Sequence, residues 1–176
     1  MKKNNKGFSL VELIVVIALI GVLAALVAPT LQNLFSSEAK KCSSQINSLI
    51  SKCKIFSMGR QGDVYIRIYE ENGNIMGDYV EGSNVISTEQ LGGSRAKVSA
   101  TDPNGAASYS ITAATSLYIS FNRATGGLRF FGSSQPSAGS WPTGTIESGT
   151  AEIEVVAGTK TYTVEIISST GRHGVS

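Results

Sequence analysis

Among 176 residues, the side chains able to do acid–base, nucleophilic or metal chemistry are few and scattered. The one His, His173, stands in a Gly-rich C-terminal tail and is expected to be frayed and solvated rather than a general base. Cys42 and Cys53 are too few for a Cys/His metal site. On one helix their spacing separates them by about 16 Å, beyond the reach of a disulfide. They read as small buried hydrophobes, with pairing across subunits as the alternative. Glu152 and Glu154 alternate along a predicted strand and fall on its solvated side. Asp102-Pro103-Asn104-Gly105 has turn chemistry and too few ligands for a metal. No nucleophile elbow, phosphate loop or zinc signature occurs. The expectation is a protein that is not an enzyme, with no catalytic residue, cofactor or metal. One ionisable side chain does stand in an unusual place. Glu12 lies alone in an apolar run.

That run extends from Phe8 to Ala28 and is preceded by Lys2, Lys3 and Lys6. As a helix its 21 residues reach about 31 Å, enough to span a hydrocarbon core. The flanking lysines predict a cytoplasmic N-terminus. A carboxylate deep in such a helix costs about 2.5–3.5 kcal/mol, less at the shallow position of Glu12, and calls for a cation. A secretory signal peptide is the simplest alternative. Against it stand the length of the run, the acid within it, and the absence of an A-x-A site, since Ala28 is followed by Pro29.

The stretch Lys6-Gly7-Phe8-Ser9-Leu10-Val11-Glu12-Leu13 resembles the class III leader junction of type IV pilins and type II secretion pseudopilins. The resemblance implies cleavage between Gly7 and Phe8 by a prepilin peptidase that also N-methylates Phe8. Removing three lysines takes the formal net charge from +2 to −1 and leaves a new α-amine at Phe8. Glu12 of one subunit would accept that amine from its neighbour and set the register between them. Pro29 and Gly21 fall where the family often carries helix-loosening residues, so Glu12 and Pro29 are the expected assembly positions.

Beyond Pro29 the apolar residues Leu31, Leu34, Phe35, Ala39, Cys42, Ile46, Leu49, Ile50, Cys53 and Phe56 follow helical spacing. One helix over roughly 8–57, kinked near Pro29, is predicted, with Gly59 and Gly62 ending it. Strand grammar follows. Val64, Ile66 and Ile68 alternate, Asn72-Gly73 marks a hairpin, and Ile75–Val80 returns. Residues 92–110 read as a long loop. Leu117–Phe121 and Leu128–Phe131 flank Gly126-Gly127, 132–149 is a second loop, and Ala151–Ala157 pairs with Thr161–Ser168 around Gly158. Tyr65 and Tyr69 with Arg67 are expected to pack on a sheet face.

The fold class predicted is α+β: a long N-terminal hydrophobic helix, transmembrane then amphipathic, packed on an antiparallel β domain. The divisions are leader 1–7, transmembrane and polymerisation helix 8–28, amphipathic half 29–57, and β globular domain 58–176. The phrases Ile119–Gly127 and Ile166–Arg172 resemble H-type minor pseudopilins and related minor pilins. A major pseudopilin's calcium loop would need clustered acids, and none follow Glu165.

The implied function is a pilin-like structural subunit of a type IV pilus or type II secretion pseudopilus, a minor one by these phrases. The alternative is a tip-displayed binding module, an adhesin or a DNA receptor of a competence pilus. Implied partners are the prepilin peptidase/N-methyltransferase, other pilin or pseudopilin subunits through the helix, an inner-membrane assembly platform and the lipid bilayer. Nucleic acid has little to hold. After residue 28 the chain has 12 basic and 12 acidic residues, which leaves a small counterion-release term. The expected location is a single-pass membrane protein with a cytoplasmic leader, then an extracellular or periplasmic filament.

Overall fold

The computed structural model describes residues 9–137 and 140–176, and within the helix the side chains of 26–35 are not described. The chain divides into two compact units after Leu34. A single helix, α1 (Leu10–Gly59), carries the N-terminal sequence, and Pro29 lies within it without ending it. At its end the Arg60 amide donates to the Phe56 carbonyl, 3.0 Å, and Gly62 turns the chain with φ 108°.

The second unit, 35–176, is α+β. Its helical part buries Ala39, Cys42, Ile46, Leu49, Ile50 and Cys53, the stripe expected from their spacing. Burial pushes both cysteine thiols up to about 12, so they stand as neutral, unreactive packing groups. Two five-stranded antiparallel sheets complete the unit. The first contains β1 (Val64–Glu71), β2 (Asn74–Glu81), β3 (Asn84–Gly92), β6 (Leu117–Phe121) and β7 (Leu128–Gly132), in the order β3-β2-β1-β6-β7. The second contains β4 (Lys97–Thr101), β5 (Ser108–Ser110), β8 (Thr150–Ala157), β9 (Lys160–Ile167) and β10 (Arg172–Val175), in the order β10-β9-β8-β4-β5. Ile66, Ile68, Leu117 and Ile119 from the first sheet join Ile153, Val155, Val164 and Ile166 from the second in one core with the helix stripe.

The predicted hairpins form as expected. Asn72 and Gly73 both have positive φ, 51° and 79°, the two-residue turn whose twist suits paired strands. In β8 and β9, Ile153 faces Val164 and Val155 faces Tyr162. Two expectations are corrected and one strand is added to those expected. The segment 92–110 is not one long loop, since it holds β4 and β5. There Val98 and Ala100 pair with Val155 and Ile153, so burial against β8 organises a sequence of low strand propensity. The strand β3 is the addition. The other correction concerns His173, which is not in a frayed tail. It lies in β10, with Nε2 2.7 Å from Ser51 Oγ on the helix and Nδ1 2.9 Å from the Gly171 carbonyl. A carbonyl only accepts, so Nδ1 carries the proton and His173 ties β10 to α1.

The phrases 119–127 and 166–172 meet at the seam between the sheets. The Leu128 amide donates to the Ser168 carbonyl at 2.7 Å, and the Ile146 amide to the Leu128 carbonyl at 2.7 Å. Lys54 Nζ reaches across from the helix to the carbonyls of Thr170 and Gly171, 2.9 and 3.1 Å. The first sheet meets the helix through glycine. A Cβ at Gly92 would stand 2.7 Å from Cys42 Sγ, and one at Gly77 2.6 Å from Leu49 Cδ2.

The outer face of the first sheet is covered too. Tyr65 stacks on Trp141 at 4.8 Å and Phe130 meets the indole edge-on at 5.5 Å. Beside them Asp78, on β2, is 1% exposed and accepts from donors on the two flanking strands, β1 and β3. Arg67 Nε and Nη2 reach Oδ2 at 3.1 and 2.5 Å, while Tyr69 Oη and Thr88 Oγ1 reach Oδ1 at 3.3 and 2.7 Å. Arg67 pairs with Asp78 across β1 and β2, and Asp78 with Thr88 across β2 and β3.

Two outcomes test this packing. Gly92→Ala should destabilise the protein by about 1–3 kcal/mol through overpacking, as read by urea unfolding, and adding Cys42→Ala should recover part of the loss. Arg67→Met should cost more, about 3 kcal/mol or above, because it strands a buried carboxylate. Asp78→Asn should cost less, since Arg67 keeps access to water.

Candidate functional site

The sequence points to the start of α1. Ser9 is its N-cap: the Ser9 carbonyl accepts from the Leu13 amide at 3.2 Å, the first helical bond. Ser9 Oγ accepts from the amides of Val11 and Glu12, 3.2 and 3.4 Å, and Glu12 Oε2 accepts from the Ser9 amide at 3.0 Å. This is the reciprocal capping box of an S-x-x-E sequence. It satisfies amides that the first helical turn leaves without partners, and it holds a negative charge where the helix dipole favours one. The role of Ser9 was not anticipated, although the spacing Ser9-Leu10-Val11-Glu12 carries its signal in full.

Among the described residues the Glu12 carboxylate makes no ion pair, and its one hydrogen bond is to its own chain. The expected cation partner, the Phe8 amine of another subunit, lies outside what a single chain contains. Gly7 and Phe8 are outside the described residues, and Pro29 is placed in the helix backbone with its side chain not described.

Around this cap the helix is apolar and bare. Eleven large hydrophobic side chains from Leu10 to Leu23 are each 48–74% exposed. Water-soluble proteins seldom leave so large a contiguous apolar surface uncovered. Among the described residues no helix is long and apolar enough to cross a membrane. The membrane reading of 8–28 depends in part on Phe8 and on the side chains of 26–28, which lie outside that description. Among the described residues there is also no cluster of three or more His, Cys, Asp or Glu side chains able to hold a metal ion.

The arrangement can do two things chemically. It presents an apolar rod that lowers its free energy by entering lipid or by packing against similar rods. It also carries one carboxylate at the rod's tip, with Oε2 engaged by the cap and Oε1 without a hydrogen-bond partner among the described residues. Neither provides a nucleophile or a proton-transfer chain.

Comparison with known proteins bears on the same segment. The family described as the prokaryotic N-terminal methylation motif matches residues 2–28. No curated protein and no solved structure gives a significant match to the chain. That motif is the class III prepilin leader, and over these residues it supports a precursor of the type IV pilin and pseudopilin kind.

Proposed function

We propose that this protein is a structural filament subunit, inserted in the membrane by residues 8–28 and processed between Gly7 and Phe8. On this reading 1–7 is the leader, 29–57 the amphipathic continuation and 58–176 the β domain. Hydrolysis of the Gly7–Phe8 amide leaves a carboxylate on the leader and an amine on Phe8, which is then N-methylated. The processed chain assembles with other pilins or pseudopilins on an inner-membrane platform, as a minor subunit of a type IV pilus or type II secretion pseudopilus. The observation that carries this is the capped, exposed apolar start of α1, which lies within the matched segment 2–28.

Glu12 has two tasks in this scheme. In the free subunit it closes the capping box. In the filament its charge meets the neighbour's Phe8 amine in a low-dielectric setting, where an unpaired ion is costly. The two tasks separate by substitution, because a glutamine still accepts the Ser9 hydrogen bond but carries no charge.

The intact mass of the membrane-extracted native protein should correspond to a chain starting at N-methyl-Phe8 with the apolar helix retained. A start near residue 29 would overturn the filament reading. In sheared filament preparations, Glu12→Gln should fail to incorporate as completely as Glu12→Val. Normal incorporation of Glu12→Gln beside failure of Glu12→Val would assign Glu12 to the cap alone and remove the charge-pairing step.

A further inference from the structure

The outer face of the first sheet holds a cavity of about 330 Å³, at the small end of the ~300–1,000 Å³ usual for ligand sites. It lies in the unit 35–176, apart from the leader chemistry. The buried rings of Tyr65 and Trp141 line it, together with the Arg67–Asp78 pair and the exposed side chains of Ser83 and Gln135. Three properties of these groups define what fits.

The first is charge. Every ion at the cavity is already matched, Asp78 by Arg67 and Asp63 by Arg129 at 3.0 Å. An added anion or cation meets no uncompensated opposite charge there. The second is an unused set of polar atoms. Among the described residues no hydrogen bond reaches Trp141 Nε1, so its N–H remains available to a partner. Arg67 spends Nε and Nη2 on Asp78 and keeps Nη1 uncommitted. Tyr65 Oη accepts from Gln135 Nε2 at 2.9 Å, which leaves its own proton to donate and the Gln135 carbonyl to accept. The third is a small apolar area, since the stacked rings of Tyr65 and Trp141 line the cavity beside those polar atoms although both are nearly buried.

Donors and acceptors intermixed, without net charge and against aromatic carbon, complement a ligand whose hydroxyls both give and take hydrogen bonds. We propose that this cavity binds a neutral, hydroxyl-rich ligand the size of one sugar unit. The site goes beyond the filament reading and does not depend on it. An extended peptide added to the free edge of β3 is disfavoured, because the β2–β3 ladder shifts register between Tyr79 and Val80, an irregularity that discourages further strand pairing.

Trp141 is the only tryptophan, so its fluorescence in the full-length protein, held in detergent micelles, reports the cavity directly. Titration with galactose or N-acetylglucosamine should give a saturable change with a roughly millimolar dissociation constant, and acetate should give none. Gln135→Ala, at an exposed position, should weaken binding about tenfold, the value of one hydrogen bond. Trp141→Phe, followed by saturation-transfer NMR on the sugar protons, should weaken it similarly, with circular dichroism confirming that both variants fold. Absence of saturation with both sugars, unaltered affinity in both variants, or saturation by acetate instead would overturn the proposal.

Discussion

Six side chains on one stripe of α1, from Ala39 to Cys53, leave water only because two separate sheets close on them. A helix with such a stripe cannot bury it alone, and a sheet needs its inner face covered as much as the helix does. That mutual requirement accounts for much of the rest. Gly77 and Gly92 lack side chains where the first sheet approaches Leu49 and Cys42. The seam at Leu128, Ile146 and Ser168 joins the sheets by backbone hydrogen bonds. Lys54 and Ser51 then fasten the helix to the segment leading into β10 and to its His173.

The same helix is built for a different medium at its other end. From Leu10 to Leu23 the large hydrophobic residues are exposed, and no strand is spent on them. Among the described residues nothing covers them, and the capping box means that the helix does not need a partner to begin. Ser9 and Glu12 complete the first turn locally. The carboxylate in this apolar run is therefore not without use in the single chain, since it closes the cap.

On the far side of the first sheet the logic is polar. Asp78 is nearly inaccessible, a placement that is costly for a charge unless it is paired and fully hydrogen-bonded. Four hydrogen bonds from residues of β1 and β3 meet that condition and pin the register of three strands. The loop carrying Trp141 lies over Tyr65 and leaves the adjoining cavity. A sheet covered on both faces loses the simple alternation that its sequence suggests, which is why Tyr65 is buried although Val64, Ile66 and Ile68 already face the core.

By itself the sequence determined the leader motif, the helix and its buried stripe, and the hairpins at Asn72-Gly73 and Gly158. Each depends on neighbours three or four residues apart along a helix, or on a turn whose residues need particular φ values, and such information is local. The capping box at Ser9 was equally local and legible. What only the tertiary structure decided were β3, β4 and β5, the place of His173, and the cavity beside Trp141. In β4 and β5 most residues are small or polar, and they become strands because β8 offers β4 hydrogen bonds and a surface to bury against, and β4 in turn pairs with β5. His173 is ordered by Ser51, 122 residues away. Asp78 and Trp141 owe their surroundings to residues on other strands and a distant loop, and no spacing along the chain encodes which of these will meet.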